Sequence, residues 1–265
     1  MKRFLVTSVA MAWLGGCSSC KETPASPAPQ DAGIALQPQP PQAPAEPPVP
    51  ERAMQLHMQG RAHGQEGRFE EALKHFQQAR EAAPSWLLPQ ADIGFTYLLM
   101  GDDARALKAY EELDALAPQG YANSKQVLDS LRREKDGRVP VGTYRKYMEV
   151  LRLRDLEEIR KRLKELTRAA PGFIPGWQEL ALTEQDPREA EKLVAKALAL
   201  EPDLETRGHL LLHQARLLQV RGEREAGRKQ YQALLNDPAM PPSVKVLAKE
   251  ALSIPENILP GGAKP

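Results

Sequence analysis

The strongest constraint on this chain is a recurrence. Gly60, Ala72, Phe76, Ala79 and Pro84 return thirty-four residues later as Gly94, Ala106, Tyr110, Leu113 and Pro118. Each pair keeps size or aromatic character in one register, and self-similarity at a fixed period of this length marks a stacked repeat architecture. In the first copy, Phe69, Ala72, Leu73, Phe76 and Ala79 fall at i, i+3, i+4, i+7 and i+10 of the stretch Arg68 to Ala83. That spacing makes one face of an α-helix. Pro84 ends the helix, and Gly101 marks the turn between the helices of the second copy. Gly60 and Ala72 are small where the two helices of a hairpin must approach closely. The expectation is an all-α chain of helix pairs.

The period and the order small, small, aromatic, small or apolar, proline resemble the tetratricopeptide repeat. That resemblance implies two antiparallel helices per repeat, stacked into a right-handed helical-hairpin solenoid. It also implies that ligands lie along a concave face built by the first helices. Carried over to this chain, the exposed inner positions are His57, Arg61, Phe95, Leu98, Leu99, Tyr144, Met148, Arg152, Leu212 and Arg216. Such a lining is apolar with scattered arginines and suits an amphipathic helix or an extended apolar peptide. It lacks the asparagine and lysine set with which family members clamp a C-terminal carboxylate.

Further along, the pattern continues with departures. Tyr144, Tyr147 and Leu151, then Ile159, Leu163, Leu166 and Pro171, suit a third repeat, with Asp155 and Glu158 spaced as a capping box. Trp177, Leu180 and Ala181, then Ala190, Val194, Ala197 and Pro202, make a fourth whose inter-helix turn is about three residues short. Leu211, Ala215, Leu218, Gly222, Tyr231 and Leu234 make a fifth, and Pro241 to Ser253 reads as an amphipathic capping helix. Pro118 to Pro171 exceeds one period by nineteen residues, so something is inserted. Tyr121 to Lys135, with Val127, Leu128 and Leu131 on one face, reads as an extra helix ending near Asp136-Gly137. Two readings follow: the groove stays open for a partner, or the inserted helix fills it and the inner positions become core.

The N-terminus has a different character. Lys2 and Arg3 precede a mostly apolar run from Phe4 to Leu14, then Leu14-Gly15-Gly16-Cys17, the layout of a secretory signal peptide. Its apolar run of eleven residues falls short of the roughly twenty that span a bilayer as a helix. The ending resembles the lipobox of bacterial lipoproteins, which implies that Cys17 is acylated and becomes the first mature residue. Ser18 after it implies, on the same resemblance, outer-membrane sorting. Cys17 and Cys20 also read as C-x-x-C, but a redox pair with that spacing opens a helix within a βαβ unit. Between Glu22 and Pro50 stand ten prolines and hardly a large apolar side chain, too little to offset ordering entropy. This disordered linker reaches on the order of 90 Å if fully extended as polyproline II.

These readings divide the chain into a signal peptide (1–16), lipidated Cys17 with its linker (17–50), two repeats (51–118), an inserted helix or spacer (119–140), three further repeats with the cap (141–254) and a flexible tail (255–265). Net charge is +1 overall but −4 over 51–120 and +6 over 121–170, so only the middle is basic. That block includes Arg152, Arg154, Arg160, Lys161, Arg162, Lys164 and Arg168. Few aromatics accompany them, which argues against nucleic acid. A solvated helix face with i, i+4 pairs (Glu157 with Lys161, Glu158 with Arg162) accounts for them, the alternative being an acidic partner or an anionic lipid surface.

His209 and His213 are spaced as a metal pair, but Leu210 stands where a metalloprotease helix needs glutamate. His63 reads as packing, and His57 and His75 as surface or groove residues. No phosphate loop, nucleophile elbow or dinucleotide fingerprint occurs, and no cofactor or metal is expected. The functional expectation is a non-enzymatic, lipid-anchored scaffold that binds an envelope protein or peptide on the periplasmic side of the outer membrane. The alternative is a self-associating spacer of the envelope without a peptide groove.

Overall fold

The computed structural model describes residues 48–254, and among them there are twelve helices and no strand. The signal peptide, Cys17, residues 18–47 of the linker and the tail 255–265 lie outside the described residues. Ten helices form five hairpins in chain order. These are α1 (Glu51–Gln65) with α2 (Phe69–Ala82), α3 (Leu88–Met100) with α4 (Asp103–Leu116), α6 (Thr143–Leu151) with α7 (Leu156–Ala169), α8 (Ile174–Thr183) with α9 (Pro187–Leu198), and α10 (Leu204–Val220) with α11 (Arg224–Asn236). Between the second and third lies the inserted helix α5 (Ser124–Lys135). A last helix, α12 (Pro242–Ser253), packs on α10 and α11 and covers the final hairpin.

The recurring residues are the contacts within each hairpin. A Cβ on Gly60 would stand 2.6 Å from Phe76 Cε1, and one on Gly94 2.8 Å from Tyr110 Cε2. Glycine in the first helix therefore lets the aromatic ring of the second lie directly on its backbone, and both rings are buried. Gly101 ends α3 in the left-handed conformation at φ 78°, and Asp102 caps α4 by accepting from Arg105 N–H at 2.8 Å. The short fourth repeat is explained at its turn: Asp186 accepts from Arg188 N–H at 2.8 Å and Pro187 opens α9, so residues 184–186 suffice to reverse the chain.

The inserted helix starts later than its apolar pattern predicts. Ala122 and Asn123 take φ of 47° and 64°, and Ser124 Oγ accepts from Tyr121 N–H at 3.0 Å. Tyr121 to Asn123 is thus a turn, and the helix begins at Ser124. Val127, Leu128 and Leu131 enter the main core with Leu107, Tyr110 and Leu113 of α4. Ser124, Ser130, Arg133 and Glu134 are buried as well, because α5 is also covered from α6 and α10.

Those polar residues tie α5 to the third and fourth hairpins. Arg133 donates to the carbonyls of Leu200 and Glu201, just beyond α9, at 3.1 and 2.9 Å, while Asp129 holds its guanidinium at 2.6 Å. Next to it, the Glu134 carboxylate accepts from the N–H groups of Gly142 and Tyr144 at 2.6 and 2.7 Å, capping α6. Gln126 reaches Gln178 of α8 at 3.2 Å. Helix ends leave orphan carbonyls and amides, and α5 supplies a cation for one set and an anion for the other.

A second acid closes the same junction. Glu205, in the first turn of α10, is 3% exposed, with Oε2 buried and lacking a hydrogen-bond partner. Asp203 beside it caps α10 by accepting from the N–H groups of Glu205 and Thr206, both at 3.0 Å. Burial first, and the Asp203 charge second, push the Glu205 carboxyl up to about 7, although the amides of Lys125 and Asn123 and the Lys125 ammonium favour its ionised form. Burial also raises Asp203. A carboxyl whose folded pKa lies above its unfolded value of about 4.5 binds more protons when folded, so stability falls as pH rises through that window. His209 and His213, lowered by burial, titrate with the opposite sign in the same window, so the comparison with a variant isolates Glu205. In urea unfolding, the stability of Glu205→Gln should rise relative to the wild type by on the order of 1–3 kcal/mol between pH 5 and pH 8. A difference between the two that does not change with pH would place the titration elsewhere.

Candidate functional site

The ten inner positions do not form one open groove. Three of them are sealed and correct the sequence expectation. His57 is 4% exposed, with Nε2 and Asp92 Oδ2 2.6 Å apart and its ring between Trp86 and Phe76, at centroid distances of 4.9 and 5.4 Å. Leu98 is 1% exposed. Tyr144 is buried against Tyr147 and Phe173, and its backbone is the one Glu134 caps. The cause at His57 is an acid on the next repeat: Asp92 and Trp86 fold over the imidazole and leave it no path to solvent.

Two more are half-buried supports, Met148 against the main core and Leu212 against the C-terminal core. Arg152 and Arg216 are exposed at opposite ends of the second half. That leaves Arg61, Phe95 and Leu99, all half-buried. Phe95 and Leu99 are four apart on α3, hence on one helical face. Among the described residues, neither belongs to a core cluster nor packs against one. Arg61 occupies in α1 the place that Phe95 occupies one period later. The two readings of the groove therefore divide along the chain. An apolar stripe remains at the first two hairpins, and α5 is wedged against α4, α6 and α10 beyond them.

The histidines are packing groups. His209 and His213 are half-buried on α10, and burial lowers both, His213 to about 4 with the Arg216 charge adding to it. His63 and His75 stack at 5.0 Å, where burial and the neighbouring His63 lower His75. Among the described residues, no three His, Cys, Asp or Glu side chains are grouped to hold a metal ion, and no helix is long and apolar enough to cross a membrane.

Sequence reasoning missed the junction residues Arg133, Glu134 and Glu205. A buried Arg-Glu dipeptide on a helix carries no periodic signal, and only Asp203, in an N-cap position ahead of Glu205-Thr206, was readable as a helix start.

Comparison with known proteins supports the repeat. Residues 53–86 match the family described as tetratricopeptide repeat. No curated protein matches the chain. Similar solved structures include a thermophilic TPR protein of Thermus thermophilus, 21% identical over 76% of this chain and 100% of that one, at a TM-score of 0.35. The ArsTM double mutant of MamA RS-1 is 16% identical over 78% and 100%, at 0.31. The TPR2AB domain of yeast Sti1 in complex with pHSP90 is 16% identical over 75% and 98%, at 0.34. The segment 53–86 is thus similar to a tetratricopeptide repeat, at the hairpin where Gly60 and Phe76 meet.

Proposed function

We propose that this protein is a non-catalytic scaffold of the bacterial envelope, acylated at Cys17, held off the membrane by its proline-rich linker and docking another envelope protein through its first two hairpins. The observation that carries the docking is the half-exposed apolar pair Phe95 and Leu99 on α3, with Arg61 at the equivalent place on α1. A stripe of two large apolar side chains one helical turn apart, beside a cation, suits the apolar face of an amphipathic helix or an extended apolar peptide. Stacked hairpins present such stripes on a rigid frame, so little ordering entropy is lost on binding.

The anchor rests on Leu14-Gly15-Gly16-Cys17 and the short apolar run before it. A single acyl chain holds a protein only reversibly, whereas several on one residue keep it in place. On this reading the periplasmic face of the outer membrane is its location.

Docking and anchoring are tested separately. A pull-down from envelope membranes with Phe95→Asp/Leu99→Asp should lose the partners recovered by the wild type while circular dichroism stays helical. Undiminished recovery would show that the stripe is not the docking site. In cell fractionation with mass spectrometry, Cys17→Ser should lose its acyl mass and leave the membrane. A variant that remains acylated and membrane-bound contradicts the anchor.

A further inference from the structure

A second surface lies between α7, α8 and α9. The groove there encloses about 590 Å³. Its floor is apolar: Leu180 is buried, Leu193 half-buried, and the Trp177 indole is fixed by donating to the Pro171 carbonyl at 2.8 Å. Lys196 Nζ sits 3.6 Å above the Trp177 ring centroid, which places a cation at one rim. Lys164 and Arg168, one helical turn apart on α7, form the other rim and are exposed. Arg160 closes the end of the groove by donating from Nε to the Thr183 carbonyl at 2.9 Å.

The charges explain why this groove is distinct from the rest of the basic block. On the outer face of α7, Lys161 and Arg162 pair with Glu158 at 3.7 and 2.8 Å, and Glu157 pairs with Arg160 rather than with Lys161. Among the described residues, Lys164 and Arg168 have no ion-pair partner. The two carboxylates lining the groove are both taken locally. Glu189 pairs with Lys192 at 2.7 Å. Glu184 accepts from the N–H groups of Gln185 and Asp186 at 2.7 and 3.1 Å, and these amides, with Arg160 and Lys164 behind them, hold its carboxyl below the usual range. Lys164, Arg168 and Lys196, none of them in an ion pair among the described residues, stand around an aromatic and aliphatic floor.

We infer that this groove docks an acidic segment of a protein partner in which an aliphatic side chain sits among carboxylates. The carboxylates meet Lys164, Arg168 and Lys196, and the aliphatic group lies on Trp177 and Leu193. A recessed floor of this kind favours a peptide over the flat surface of a bilayer. The inference rests on the protein-binding reading but uses a different face from Phe95 and Leu99, so each can fail alone.

The test is fluorescence anisotropy of the full chain with a labelled octapeptide, Glu-Glu-Leu-Glu-Glu-Leu-Glu-Glu, and its all-Gln counterpart. The acidic peptide should bind, and the Gln peptide should bind about tenfold more weakly or not at all. Lys164→Glu/Arg168→Glu should weaken the acidic peptide by about tenfold, and the milder Lys164→Gln/Arg168→Gln by severalfold. Lys161→Glu/Arg162→Glu makes the same charge change on the outer face and should leave the affinity nearly unchanged. Equal losses in both Glu variants would mean diffuse attraction without a groove and overturn the inference. Absence of peptide binding, with phosphatidylglycerol vesicles bound instead through Lys164 and Arg168, would overturn it in favour of a membrane surface.

Discussion

The arrangement of the whole molecule depends on one adjacent pair of buried charges, Arg133 and Glu134. Their side chains leave the same turn of α5 and end on opposite kinds of helix terminus: carbonyls beyond α9 for the arginine, amides opening α6 for the glutamate. Hydrogen bonds to charged groups contribute about 1.5–3 kcal/mol each, and removing Asp129, the ion-pair partner of Arg133, would strand a buried guanidinium at a cost of about 3–5 kcal/mol. These magnitudes favour a fixed α5 over a loosely laid insertion.

From that constraint the division of surfaces follows. Hairpins before α5 retain a half-exposed apolar stripe, whereas Tyr144, just after it, is locked into the core beside Tyr147 and Phe173. In the second half, a groove with cationic rims lies between α7, α8 and α9. The junction also stores an electrostatic cost, since the buried Glu205 lies beside the half-buried Asp203, with the Lys125 ammonium only partly offsetting them. A junction in which α5 is held by opposed caps while α10 carries a raised carboxyl is both fixed and sensitive to proton concentration.

Much of this was legible in the residues. Gly60 with Phe76, and Gly94 with Tyr110, were visible as a period and prove to be backbone-to-ring contacts. Fold class, the inserted helix and the capping helix α12 could be read because apolar periodicity and proline positions are local signals. The open or closed state of individual groove positions was not local. His57 looked exposed from its place in α1, but its burial is decided by Asp92, thirty-five residues away. Phe95 and Leu98 differ in exposure although three residues apart, because neighbouring helices cover only one of them. Of the two i, i+4 pairs expected on α7, Glu158 with Arg162 forms, whereas Glu157 turns to Arg160 and Lys161 to Glu158.

Native-state amide hydrogen exchange tests the central claim most directly. If α5 is fixed by Arg133 and Glu134, the amides of Val127 to Lys135, together with Gly142 and Tyr144, should exchange as slowly as those of α4 and α9. Rapid exchange along α5 while the flanking hairpins stay protected would contradict the account, because it would show that the Arg133 and Glu134 contacts do not fix the helix.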